Sequence, residues 1–156
     1  MRMMAISLRP VSSKDIEFLY ELYVSTRNGE FAFLPDPQRA QLLHLQFTAQ
    51  QTGYASQFPG SEQTIILNAN EAVGRIWLAR TEHDIRVIDI SLLPQHRRLG
   101  IGGAVYRLVL SEAAATNKVV VASVLKANVE SLQFHTRYGF SVTGGDGIYY
   151  TVTCHP

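Results

Sequence analysis

The segment Arg97-Arg98-Leu99-Gly100-Ile101-Gly102-Gly103 carries the strongest chemical signal in the chain. It lies between an apolar stretch that reads as a strand, Ile85 to Leu93, and a helical pattern that ends near Asn117. Glycines at the mouth of a helix let a ligand approach the backbone with no Cβ atoms in the way. The first N–H groups of a helix lack internal partners and carry partial positive charge, and a pyrophosphate satisfies both needs. Arg97 and Arg98 add charge on the same side, so a diphosphate-bearing ligand is expected here. Two familiar phosphate motifs do not fit. A dinucleotide GxGxxG needs glycine where Val105 stands, and no Lys-Ser or Lys-Thr pair follows Gly100, Gly102 or Gly103 as a P-loop requires. The alternative reading of the glycines is a packing role alone.

The elements that must position this turn alternate along the chain. Ile6 to Arg9 reads as a short strand ending at Pro10. Ser12 or Ser13 can cap a helix with Asp15 and Glu17 in its first turn, a stripe of Ile16, Leu19, Tyr20 and Tyr23, and a break at Asn28-Gly29. Asp36-Pro37 predicts a second helix, with Asp36 as N-cap, Leu43 and Phe47 facing inward, and fraying before Gly53. A polar loop is expected from Gly53 to Gly60. Thr64 to Leu67, Val73 to Leu78 and Ile85 to Leu93 then read as an antiparallel meander. The helix after the glycine turn should bury Ile101, Ala104, Val105, Leu108 and Val109, while Glu112 fits that stripe poorly and should reach solvent or a partner. Lys118 to Leu125 is a β-branched strand. Asn128 to Tyr138 is a short helix stopped by Gly139, and Phe140 to Thr143 and Ile148 to Val152 are two last strands around a Gly-rich turn.

Composition narrows the function classes. The chain has 156 residues, 46% hydrophobic and 17% charged, with neither repeats nor a Pro-, Gly- or Ser-rich linker, so one domain over 1–156 is expected. Fourteen Lys and Arg against thirteen Asp and Glu give a formal charge of +1, which argues against nucleic-acid binding. The single cysteine, Cys154, excludes an internal disulfide and multi-Cys metal sites, and it fits a reducing compartment. The N-terminal apolar stretch is broken at Ser7 and Arg9, too soon for a signal peptide, and no apolar run is long enough to span a bilayer. A cytoplasmic protein with no membrane partner is expected.

Arg97 to Gly102 resembles the R/Q-x-x-G-x-G/A signature of the GNAT superfamily of N-acetyltransferases, which binds the pyrophosphate of acetyl-coenzyme A. Downstream, Asn128, Ser131-Leu132 and Phe134 to Phe140 resemble the family's Asn…Ala…Leu-Tyr-x-x-x-Gly-Phe block. Element order matches from about Ile6 to Val152, and specific residues match from Ile85 to Phe140. The resemblance implies an α/β fold: a mixed, mostly antiparallel central sheet of about seven strands with helices on both faces. It implies acetyl transfer from acetyl-CoA to a primary amine of a small molecule or peptide by direct attack, with no metal, and it is compatible with a homodimer.

It also implies residue roles. Arg97, Arg98, Leu99, Gly100, Ile101, Gly102 and Gly103 would hold the pyrophosphate. Ile90, Ser91 and Leu92 would pair with the pantetheine arm where two parallel strands splay apart, and the Leu92 N–H would donate to the thioester oxygen. Asn128 would hold the coenzyme, cap its helix, or do both. The family's usual acid is a Tyr seven residues after that Asn; His135 stands there, either as a donor to the leaving thiolate or as a satisfied structural histidine. The positions where family members place a Glu base hold Ser123 and Arg86. Strand alternation puts Asp89 on the face opposite Ile88, Ile90 and Leu92. Glu30, Asp36 and His44 sit in the region that forms the acceptor lip, and no base is identified. The Gln-rich second helix, almost free of carboxylates, favours a neutral or zwitterionic amine or a peptide N-terminus over a polycation, with Phe31, Phe33, Phe47, Tyr54 and Phe58 available to line a pocket. The alternatives are an acyl-CoA sensor without turnover and an interaction domain whose turn binds another anion.

Overall fold

A computed structural model describes residues 4–27 and 29–156. Asn28, expected to end the first helix, lies outside the described residues. The order is β1 (Ile6–Pro10), a single 3-10 turn (Ser13–Asp15), α1 (Ile16–Thr26), α2 (Asp36–Gln57), β2 (Glu62–Asn68), β3 (Glu71–Arg80) and β4 (Asp84–Leu92). A second 3-10 turn (Pro94–His96), α3 (Ile101–Ala115), β5 (Val119–Leu125), α4 (Val129–Arg137), β6 (Ser141–Gly145) and β7 (Tyr149–Cys154) follow. The strands form one seven-stranded sheet in the order β1-β2-β3-β4-β5-β7-β6. Only β4 and β5 are parallel; every other neighbouring pair is antiparallel. The expected fold class is present.

Helices cover both faces. On one, α3 and α4 bury Ile101, Val105, Tyr106 and Val109 against Val87, Val120, Ala122 and Val152. On the other, Leu19 and Tyr23 of α1 and Phe47 of α2 pack on Ile65 of β2. At the start of α1, Ser12 and Asp15 form a capping box, and the Asp15 carboxylate also takes two bonds from Arg9 of β1, at 2.8 and 2.9 Å. That pair ties the helix to the sheet edge and, through the Arg9 bond first, holds the Asp15 carboxyl well below its usual range.

Several boundaries depart from the sequence reading. Ile16 is 52% exposed, because the 3-10 turn rotates the helix so that Leu19, Leu22 and Tyr23 face inward. In α2 the N-cap is Pro35, with Asp36 the first helical residue. The helix runs past Gly53 to Gln57, absorbing most of the expected loop. Tyr54 packs edge-on against Trp77 with ring centres 5.1 Å apart, and this tertiary contact overrides the weak helix preference of glycine. In α3 the buried stripe turns toward Tyr106 and Ala113, leaving Leu108 43% exposed. Glu112 does reach a partner, Arg80 of β3, at 2.6 and 2.9 Å.

Two irregularities in the sheet shape the site. The β3–β4 register shifts between Trp77 and Leu78, which pair with Asp89 and Val87, so Ile88 is an extra residue bulging from β4. The β4–β5 pairing extends only from Asp84–Val119 to Val87–Ala122, and beyond it the two strands part.

Candidate active site

Where β4 and β5 part, the sheet opens into a cleft of about 810 Å³ whose wall includes Ile88, Ile90, Ser123, Leu125, Asn128 and His135. A smaller cavity of about 360 Å³ lies on the α1–α2 face and shares Tyr54, Asp89, Ile90, Leu125 and Asn128 with the cleft. The opening leaves backbone of β4 unpaired. Leu93 N–H donates to Val73 O at 2.9 Å on the β3 side, so alternation turns the Leu92 N–H toward the edge that β5 has left. The Leu92 carbonyl accepts from Arg97 Nε at 2.9 Å.

Beyond β4 the chain turns through Arg98 (φ 59°) and Gly100 (φ 86°), both left-handed, into α3. Among the described residues, none of the main-chain N–H groups from Arg98 to Gly103 has an acceptor; the first helical bond is Ala104 N–H to Gly100 O at 3.1 Å. Successive N–H groups in such a turn form an anion-binding concavity at the positive end of the helix dipole. The glycines differ in what surrounds them. A Cβ on Gly102 would meet only Phe134, at 3.7 and 3.9 Å, whereas one on Gly103 would overlap the Tyr138 hydroxyl. Close packing of the Tyr138 ring end therefore favours glycine at position 103, a reason separate from any ligand. Arg97 Nε bonds the Leu92 carbonyl, and Arg98 pairs with Glu130 at 2.9 Å on the exposed surface.

Asn128 caps α4, its Oδ1 accepting from Ser131 N–H at 3.0 Å, and it also borders both cavities. The two readings of this residue are compatible. His135 is 6% exposed at the floor of the cleft. Its Nδ1 lies 2.7 Å from Ser131 O, and a carbonyl only accepts, so Nδ1 carries the proton of the neutral ring. Nε2 then accepts from the Tyr106 hydroxyl at 2.7 Å. Burial lowers the His135 pKa, only partly opposed by the Ser131 bond, and the ring stays neutral. In this arrangement His135 has no N–H left for a thiolate, contrary to the donor role entertained for it. Tyr106 went unnoticed in the sequence because it lies outside the stripe assigned to α3; burial, then the Asp89 charge, raise its pKa and keep it a donor.

The α1–α2 face holds the charge of the site. Arg75 of β3, 5% exposed, forms an ion pair with Asp89, and its Nε has no acceptor among the described residues. Arg75 and the Ser91 hydroxyl both bond Asp89 Oδ2, leaving Oδ1 unengaged among the described residues. Asp89 thus lies opposite Ile90 and Leu92, as alternation predicts, but that face is the one with the cavity. Burial, reinforced by the Asp89 charge, raises the Tyr54 pKa and keeps its phenol neutral. Of the other sequence candidates, Phe47 and Tyr54 line the small cavity, and Ser123, Arg86 and Phe58 line the cleft. Glu30, Asp36, His44, Phe31 and Phe33 line neither. Among the described residues, no group of three His, Cys, Asp or Glu side chains is placed to hold a metal, and no helix is long and apolar enough to cross a membrane.

No curated protein matches the chain by sequence. Solved structures do match in fold. The PaiA N-acetyltransferase of Thermoplasma acidophilum, in complex with coenzyme A, is 15% identical with a TM-score of 0.72, covering 98% of this chain and 100% of that one. A GNAT family acetyltransferase from Elizabethkingia anophelis with acetyl-CoA bound is 16% identical with a TM-score of 0.65, covering 97% and 98%. A chimeric spermidine N-acetyltransferase, SpeG, from Vibrio cholerae is 16% identical with a TM-score of 0.67, covering 96% and 95%. The model of the Acetyltransferase (GNAT) family matches residues 16–140, from α1 through the glycine turn to the Gly-Phe pair after α4. With well over half of its length matched, the chain belongs to the acetyltransferase (GNAT) family.

Proposed function

We propose that the protein transfers an acetyl group from acetyl-CoA to a primary amine in a ternary complex. The observation that carries this reading is the run of unpartnered N–H groups from Arg98 to Gly103, placed at the end of the strand whose backbone the β4–β5 opening leaves bare. The turn takes the pyrophosphate, with Arg97 holding the end of β4 rather than the phosphates. Ile90, Ser91 and Leu92 line the pantetheine arm, and the Leu92 N–H stabilises the oxyanion. Asn128 borders the path from α4.

The amine arrives as an ammonium on the α1–α2 face, where Asp89 Oδ1 accepts from it, and it loses one proton to water at that carboxylate. The free amine attacks the thioester carbon, the C–N bond forms and the C–S bond breaks. The second nitrogen proton ends on the departing sulfur. A thiol has a reference pKa of about 8.5, so its thiolate leaves and takes a proton without a dedicated acid. His135 and Tyr106 serve as positioning residues, tying α4 to α3 through the Tyr106–His135 bond.

Two observations favour the sensor reading: His135 is fully engaged, and Ser123 and Arg86 occupy the customary base positions. Amine-dependent thiol release from acetyl-CoA, run beside calorimetric titration with coenzyme A, ATP and NAD, tests the two. Turnover with selective coenzyme A binding is expected. Binding without turnover across a broad amine panel would establish the sensor, and equal affinity for ATP or NAD would dismiss the coenzyme site.

A further inference from the structure

The wall of the small cavity beside Asp89 holds more cationic than anionic side chains. Its wall includes two guanidinium groups, Arg27 and Arg75, and one carboxylate, Asp89. Arg75 and Asp89 pair with each other, so the other cation of the wall is Arg27, whose ion partner Glu30 lies outside the wall. Arg27 closes α1 with its guanidinium carbon 4.9 Å from the centre of the Tyr23 ring. Its Nε donates to the Tyr23 hydroxyl oxygen at 3.3 Å and lies 3.7 Å from Glu30, which is not part of the wall. Tyr23 in turn donates to Gln46 Oε1, and Gln46 donates to Glu30, both at 3.4 Å. This ring of contacts fixes the guanidinium by its Nε. The two terminal nitrogens, which form one edge of the fork that grips a carboxylate, have no acceptor among the described residues.

We infer that the acceptor is a small amino-carboxylate with an apolar side chain. Arg27 takes the carboxylate, Asp89 Oδ1 takes the ammonium, and Leu19, Leu22 and Phe47 face the apolar part. The inference rests on the acetyl-transfer reading above. A cavity of about 360 Å³ is at the small end for ligand sites and suits a molecule of amino-acid size. A polyamine would bring several positive charges to a wall whose one carboxylate is already shared with Arg75.

The test measures thiol release from acetyl-CoA with L-leucine, L-methionine and L-phenylalanine, their amides, and spermidine, with coenzyme A binding followed by calorimetry. The acids should exceed their amides in kcat/KM by roughly tenfold to a hundredfold, the range of a charge-assisted hydrogen bond. Arg27→Gln should cut that acid-to-amide ratio at least tenfold, mainly through KM, and Arg27→Lys should restore part of it. Arg27 is 36% exposed at a helix end, so both variants should fold. Amides or spermidine used as well as the acids, or none of these amines used while coenzyme A binds, overturns the carboxylate site and leaves the coenzyme site standing. Loss of coenzyme A binding in the unaltered protein overturns both.

Discussion

Valine at Gly102 separates ligand binding from folding at the mouth of α3. A Cβ there meets only the Phe134 ring at ordinary contact distance, so the branch point of a side chain fits. Replacing a helical glycine gains about 0.5–1 kcal/mol of backbone entropy, and the stiff χ1 of valine returns about half of it. The net change in stability should stay within ~1 kcal/mol. The valine methyls, however, stand among the N–H groups of Ile101, Gly102 and Gly103, none of which has an acceptor among the described residues. Denying the pyrophosphate two charge-assisted hydrogen bonds at about 1.5–3 kcal/mol each removes about 3–6 kcal/mol of binding. At 1.4 kcal/mol per decade, that is a loss of roughly a hundredfold to ten-thousandfold in affinity. Calorimetric titration with coenzyme A reads the affinity, and thermal denaturation without ligand reads the fold. The adjacent position supplies the contrast. In Gly103→Ala the new methyl overlaps the Tyr138 hydroxyl, and such overpacking costs about 1–3 kcal/mol, or roughly 2–4 °C in Tm per kcal/mol. Coenzyme A affinity within threefold of the unaltered protein in a folded Gly102→Val variant would refute the phosphate cradle.

Tyr106→Phe should leave His135 Nε2 buried without a donor and cost about 1–3 kcal/mol, seen as a lower urea midpoint at unchanged slope; an unchanged midpoint would mean the pair is not the bond described. His135, with its pKa held below the ordinary 6.5 by burial, binds its proton more tightly when unfolded. Its contribution to stability is therefore complete above pH 6.5 and lost as pH falls through the lowered value of the folded state. The urea midpoint should begin to drop as pH falls below 6.5, and that drop should shrink in His135→Phe, while Asp15 and Glu112, whose carboxyls are also lowered, lose their own contributions as acidification goes on.

What could be read from the sequence was local. The glycine turn, the N-cap at Asn128 and the stop at Gly139 announce themselves within a few residues, because each is dictated by backbone chemistry at its own position. The end of α2 did not, because Tyr54 is held by Trp77, twenty-three places further along and on another element. The cavity on the α1–α2 face was hidden for the same reason. Arg27 and Tyr23 read as the tail of an amphipathic helix, and Arg75 as one charge in an apolar strand, until the sheet brings them around Asp89. His135 was legible as a departure from the family pattern, but its engagement was not, because half of it comes from Tyr106 on a different helix.

Asp89 depends on an irregularity that no hydrophobic pattern announces. Ile85 and Val87 belong to the core beneath α3, and Ile90 and Leu92 pack against that same core. Odd and even positions of one strand can share a face only if a residue is inserted between them, and the register places that residue at Ile88. Without the bulge, Asp89 would share the parity of Val87 and point into the apolar core, where an ionised carboxylate could not be accommodated. With it, the carboxylate emerges on the opposite face beside Arg75, within two residues of the last β4–β5 pair. The one extra residue thus does two things together. It keeps β4 apolar toward α3 on both sides of the opening, and it delivers the Asp89 carboxylate to the place where the backbone of β4 is first free of β5.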